Sequence, residues 1–140
     1  MKALLILTLF FIASCAQRPV KVERPETRTP VYHAPVRGVF NKTPRGVFIK
    51  TSCSKFVRAV KEGDVVYSGR DIESYGWVVI VNQRDGFVSV YGRLSKPWVK
   101  TGERVKDRQV IGKVGRNKDA CGVYYELRDA YGKPLKPILR

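Results

Sequence analysis

Between positions 75 and 115 the sequence is written almost wholly in strand-forming and turn-forming residues, and that leaves little room for anything but a β fold. Trp77-Val78-Val79-Ile80-Val81 is an unbroken apolar, mostly β-branched run, the pattern of a strand covered on both faces. Phe87-Val88-Ser89-Val90-Tyr91 alternates, with Phe87, Ser89 and Tyr91 on one face and Val88 and Val90 on the other. Arg84-Asp85-Gly86 joins the two runs as a hairpin, because Gly accepts the positive φ that a tight turn needs. Further on, Val99-Lys100-Thr101-Gly102-Glu103-Arg104-Val105 and Gln109-Val110-Ile111-Gly112-Lys113-Val114-Gly115 alternate short β-rich pieces with Gly and charged turns. No segment has helical periodicity, so the reading is an all-β or nearly all-β domain on a small curled sheet.

The flanks extend this pattern. Arg45-Gly46-Val47-Phe48-Ile49 reads as a strand, followed by a polar loop that holds Cys53. Phe56-Val57-Arg58-Ala59-Val60 and Asp64-Val65-Val66-Tyr67-Ser68, on either side of Lys61-Glu62-Gly63, predict a second hairpin. Cys121-Gly122-Val123-Tyr124-Tyr125-Glu126-Leu127-Arg128 is a further strand before a basic, Pro-containing tail. Folded structure is expected over residues 36–140. Residues 15–35, with Pro19, Pro25, Pro30 and Pro35 among Arg, Lys, Thr and Glu, cannot bury enough apolar surface to order themselves. They read as a disordered tether reaching about 60 Å if fully polyproline-like, at ~3.1 Å per residue. His33, the chain's one histidine, falls in it and reads as a solvated linker residue.

The N-terminus sets the compartment. Lys2 precedes an apolar stretch over residues 3–13, interrupted by Thr8 alone; this is a secretory signal core, too short for a span of roughly 20 residues. It ends in Ile12-Ala13-Ser14-Cys15, which resembles a bacterial lipobox: residues 1–14 are the signal and Cys15 carries the lipid. Ala16 after the Cys resembles the outer-membrane sorting pattern. The net charge of +15 favours anionic partners, and export turns that preference from nucleic acid to lipid and cell wall. With Cys15 acylated, Cys53 and Cys121 remain as an even pair in an oxidising compartment, which points to a disulfide, with two free buried thiols as the alternative.

Over most of residues 36–140 the ordered set of Arg45-Gly46-Val47-Phe48-Ile49, Tyr75-Gly76, Tyr91-Gly92-Arg93-Leu94-Ser95, Val99-Lys100-Thr101-Gly102, Ile111-Gly112 and Tyr124-Tyr125-Glu126-Leu127-Arg128 resembles the LytM, or lysostaphin-type, zinc endopeptidase family. The resemblance implies a compact antiparallel sheet of the duplicated hybrid-motif, barrel-sandwich type, with a groove along one face. The family holds zinc with two His and one Asp and uses two further His to assist the attacking water. Carried over position by position, the ligands fall on Pro44, Phe48 and Tyr124, and the assisting histidines on Gly122 and Arg93. Pro, Phe and Gly offer no ligating side chain, whereas a catalytic zinc needs three N, O or S ligands and an open position. A metal held by Cys53, Cys121 and a carboxylate such as Glu126 or Asp119 is disfavoured, because an exported Cys pair is more simply a disulfide. No metal, no other cofactor and no catalytic residue is therefore expected.

What the resemblance leaves is a groove for binding, similar to that of the family's amidase activators of the EnvC and NlpD type. Phe48, Arg93 and Tyr124 are expected on its floor, with Tyr91, Tyr75 and Trp98 near the rim, since aromatics beside an Arg make strong binding anchors. The competing reading has Phe48 and Tyr124 packing shut the space a metal would occupy. The expected function is a non-catalytic, lipid-anchored envelope protein that binds peptidoglycan, a cell-wall amidase or both, and so regulates murein hydrolysis; it is expected at the periplasmic face of the outer membrane and away from nucleic acid. Two alternatives stand beside it. One is an atypical cell-wall endopeptidase. The other is a lipoyl-like envelope adaptor, suggested by the Gly-punctuated residues 99–115, though it lacks an evident carrier Lys and leaves residues 124–128 unexplained.

Overall fold

The computed structural model describes residues 28–140. The expected signal over residues 1–14, the lipidation site Cys15 and the tether up to residue 27 lie outside the described residues. In chain order the strands are β1 (Val31–Tyr32), β2 (Val39–Lys42), β3 (Val47–Thr51), β4 (Phe56–Arg58), β5 (Gly63–Gly69), β6 (Trp77–Gln83), β7 (Val88–Pro97), β8 (Arg104–Val105), β9 (Val110–Asn117), β10 (Ala120–Arg128), β11 (Pro134–Leu135) and β12 (Ile138–Leu139). The only helical piece among the described residues is a 3-10 turn at Glu73–Tyr75. The fold is nearly all β, as the alternation and the Gly punctuation require.

Ten strands form one antiparallel sheet in the order β2-β3-β10-β9-β7-β6-β5-β8, with β4 on β9 and β11 on β10. The sheet curls because β10 changes partner along its length. Cys121 and Gly122 pair with β9, while Tyr124 to Arg128 pair with β7, and β3 runs along the other edge. β7 does the converse, facing β10 up to Gly92 and β9 from Leu94 onward. The sheet therefore divides near Gly92 and Gly122, and the floor of the groove lies there.

Alternation decides what fills the interior. Val47, Ile49, Val57, Val65, Val79, Val81, Tyr91, Ile111, Val123, Tyr125 and Leu127 are buried in one cluster. Of the apolar run expected to be core, Val78, Val79 and Val81 are buried, while Trp77 and Ile80 are partly open, Trp77 lying 5.2 Å beneath the Arg70 guanidinium. The β6–β7 hairpin turns where Asp85-Gly86 predicts, with Gly86 at φ +87°. Cys53 and Cys121 form a disulfide across 68 residues, which on the chain-entropy view stabilises the fold by about 4 kcal/mol.

Two expectations fail. The second hairpin does not form: β4 pairs with β9, and β5 with β6 and β8. The backbone beyond β4 is taken up elsewhere, the Ala59 amide donating to the Gln109 carbonyl and the Val60 amide to the Tyr91 hydroxyl. Nor does the tether extend to Pro35. Val31 and Tyr32 pair in parallel with Ile138 and Leu139, and Tyr32 and Ala34 are buried. Tyr32 is held because its hydroxyl donates to Asp85 and accepts from Gln83 Nε2 at 3.0 Å, and Gln83 also accepts from Ser89, which meets the Tyr125 hydroxyl at 2.8 Å. A composition that reads as linker is overridden by one aromatic with a buried polar partner. His33 lies next to this ribbon, its carbonyl accepting from Arg108.

Candidate functional site

On β10 the period of two sends Tyr125 and Leu127 to the core and places Tyr124, Glu126 and Arg128 on the opposite face. Phe48 of β3 stands directly across from Tyr124 in the ladder, so the two rings share a face. Together with Tyr75 from the 3-10 turn and Arg93 from β7, they line a groove of about 790 Å³ whose rim includes Pro44, Arg45 and Lys118.

At the groove's centre is a buried carboxylate. Glu126 is fully buried; it accepts from the Tyr124 hydroxyl at 2.7 Å, the Tyr75 hydroxyl at 2.8 Å, and Arg128 Nη2 and Nε at 2.8 and 3.2 Å. Arg128 also donates to the Tyr75 hydroxyl at 2.9 Å. Burying a charge is tolerable only when it is paired and hydrogen-bonded in this way. Burial, and then donation to Glu126, push the Tyr124 phenol up to about 12 and raise that of Tyr75. For Arg128 burial acts against the charge, but the bond and ion pair to Glu126 outweigh it and the pKa rises. The Tyr75 and Tyr124 rings stack with centroids 5.8 Å apart over Gly92, where a Cβ would meet both rings at 3.3 to 3.4 Å.

Arg93 stands exposed with φ +58°, and Lys118 has φ +54°; both are left-handed conformations that cost a non-Gly residue of order 1 kcal/mol. Asn117, also in the lining, has its side-chain amide nitrogen buried with no hydrogen-bond partner among the described residues. Glu126 is the sole carboxylate of the groove among the described residues, and two phenols and a guanidinium already satisfy it. The charge left for a ligand is the positive one of Arg45, Arg93 and Lys118.

Of the sequence-predicted site residues, Phe48, Arg93, Tyr124 and Tyr75 meet in the groove, with Pro44 at its edge. Tyr91 and Trp98 do not. Tyr91 points inward, fully buried, its hydroxyl taken by the Val60 amide and its own pKa pushed up to about 12 by burial. Trp98 is 54% exposed on another part of the surface, edge-on to Phe56 at 5.2 Å. Glu126 and Arg128 were not singled out as groove residues. The i, i+2, i+4 spacing of Tyr124, Glu126 and Arg128 is the signal that finds them, because it puts a carboxylate beside a phenol and a guanidinium.

A zinc ion does not fit here. Of the three ligand positions carried over, Pro44 and Phe48 bring no donor atom, and the Tyr124 hydroxyl is committed to Glu126. Phe48 lies so close over Gly122 that a Cβ there would stand 2.6 Å from the ring. No three of His, Cys, Asp and Glu gather into a metal-holding group among the described residues.

Comparison with known proteins now places the chain. The model of peptidase family M23 matches residues 42–137, which covers β3 through β11 and every residue of the groove. The chain belongs to peptidase family M23. Within that family it is similar to a lipoprotein NlpD/LppB homolog of Pseudomonas aeruginosa, 35% identical over 83 residues, 59% of this chain and 28% of that protein. It is also similar to the murein hydrolase activator NlpD of Escherichia coli, 28% identical over 81 residues, 57% of this chain and 21% of that protein. The chain thus spans less than a third of the length of these M23 relatives. Among solved structures, the catalytic domain of the antimicrobial peptidase lysostaphin from Staphylococcus simulans superposes with TM-score 0.58 at 25% identity, covering 71% of this chain and 77% of that one. The M23 fold expected from the ordered motifs is the fold observed.

Proposed function

We propose that this M23 domain is a non-catalytic binding module of the cell envelope, tethered through a lipid at Cys15 to the periplasmic face of the outer membrane, and that its groove engages an anionic partner to regulate murein hydrolysis. The observation that carries this is the Phe48 ring packed over Gly122 beside the Tyr75–Tyr124 stack, in the place where the family's resemblance puts a metal. What remains is an aromatic floor, three rim cations and an unpartnered Asn117 amide. Such a surface suits an acidic segment of a cell-wall amidase or the carboxylates of peptidoglycan stem peptides, since aromatic and Arg side chains in one pocket make binding hot spots. The relatives named for murein hydrolase activation support the regulatory sense of that binding.

The test is hydrolysis of isolated sacculi by a purified envelope amidase with and without the protein. Release should rise with the wild type and fall back by roughly thirtyfold in potency with Arg93→Glu or Tyr124→Ala, as for hot-spot losses of about 2 kcal/mol. Stimulation untouched by both changes removes the groove from the proposal. Stoichiometric zinc in the purified protein, with muropeptides released in the absence of amidase, overturns the non-catalytic reading in favour of an atypical endopeptidase.

A further inference from the structure

Where β1 joins the fold beside β12, two depressions flank Phe40, which is 47% exposed. One, of about 450 Å³, has Val47, Leu135 and Leu139 in its lining, together with Lys42, Arg45 and Lys136. The other, of about 310 Å³, is lined by Arg37, Arg108 and Arg140 with His33. Neither lining contains a carboxylate side chain, and Arg37, Lys42, Arg45, Lys136 and Arg140 form no ion pair among the described residues. Arg108 is directed by its bonds to the His33 and Ala34 carbonyls, and its neighbour Arg58 adds a further positive charge. Arg84 and Arg104 differ in having a carboxylate beside them: both approach Asp64, at 3.8 and 3.6 Å.

The concentration of unpaired guanidinium and ammonium groups around an apolar floor points to one occupant, and we infer that this face docks onto a membrane surface bearing anionic lipid phosphates. Guanidinium groups match phosphate oxygens in two-point contacts, and a half-exposed Phe between them belongs at headgroup depth. The inference takes its geometry from the lipid-anchored reading. Fifteen residues lie between Cys15 and Val31, at most about 55 Å of chain, and that leash enters the fold at β1, on this face. A tethered domain meets its surface at high effective concentration, so modest contacts hold it down.

The experiment uses the chain from position 15 onward carrying Cys15→Ser, which removes the acyl group, and vesicles of phosphatidylcholine with or without phosphatidylglycerol. Binding should need phosphatidylglycerol and weaken as salt rises. The pair Lys42→Glu and Lys136→Glu should cut binding at least twentyfold, at roughly fivefold for each cation lost near a charged surface. The matched pair Arg84→Glu and Arg104→Glu, whose charges Asp64 already offsets, should cut it by less than about threefold, with circular dichroism confirming that both variants fold. Equal binding to neutral vesicles overturns the inference, as does an equal loss from the two pairs, which would mean diffuse charge alone. Unchanged vesicle binding with lost binding to sacculi would assign the face to wall polymer instead. No amidase or murein enters the vesicle assay, so its failure is separate from failure of the regulatory proposal.

Discussion

Glu126 shows what single side chains contribute. Its charge is fully buried and stabilised by Arg128 and two phenols, so removing one partner costs more than the pair itself is worth. Arg128→Met should lower the unfolding free energy by about 3 kcal/mol, and adding Glu126→Gln should restore it to within about 1 kcal/mol; chemical denaturation of the three forms measures both steps. Tyr124 supplies a pH dependence. Its phenol is held at about 12 in the fold against 10 in the open chain, so its contribution is fully present below pH 10 and is lost as pH rises through 12. Denaturation between pH 10 and 12 should show a shallower loss of stability for Tyr124→Phe than for the wild type. At this scale the sequence was legible in part. The motif positions brought Phe48, Arg93, Tyr75 and Tyr124 together, but they placed Tyr91 at the rim, because a Tyr in an alternating strand reads equally well from either face. Its hydroxyl belongs inside, where the Val60 amide needs an acceptor.

Strands and turns were more readable where a backbone requirement is written into a residue type. Asp85-Gly86 marks a turn that forms; Lys61-Glu62-Gly63 marks one that does not, because β9 offers β4 an edge that β5 cannot. Long-range pairing of this kind leaves no local trace. The junction of β3 and β10 depends likewise on one glycine. At Gly122 a methyl group would run into the Ile49 carbonyl and stand 2.6 Å from the Phe48 ring. Gly122→Ala should cost about 3 kcal/mol by urea denaturation and shift the Phe48 ring resonances, since a backbone carbonyl gives way far less easily than a side chain.

For the molecule as a whole, composition misjudged where the fold begins. A stretch rich in Pro, Arg and Thr looks like linker up to Pro35, yet Tyr32 completes a buried chain of hydrogen bonds through Gln83 and Ser89 to Tyr125. A chain starting at residue 30 should be as stable as one starting at residue 15, whereas one starting at residue 36 should lose about 4 kcal/mol in thermal or urea unfolding, the scale of losing a buried aromatic. The overall β architecture and the disulfide were open to reading because alternation and cysteine parity are global properties of the sequence. The terminal ribbon was not, because two residues are too short a pattern to register.

That ribbon has a mechanical meaning. If the chain is anchored ahead of β1 as proposed, a pull on that segment falls first on the Val31–Tyr32 pairing and on two backbone bonds, from Ala34 to Arg140 and from Arg140 to Tyr32. A two-residue ribbon with so few bonds should yield before the ten-stranded sheet, and unpeeling about five residues would lengthen the leash by roughly 16 Å. Under the tethered reading proposed above, the domain would carry a yielding link in series with its grip, letting the anchor shift without tearing the ligand loose.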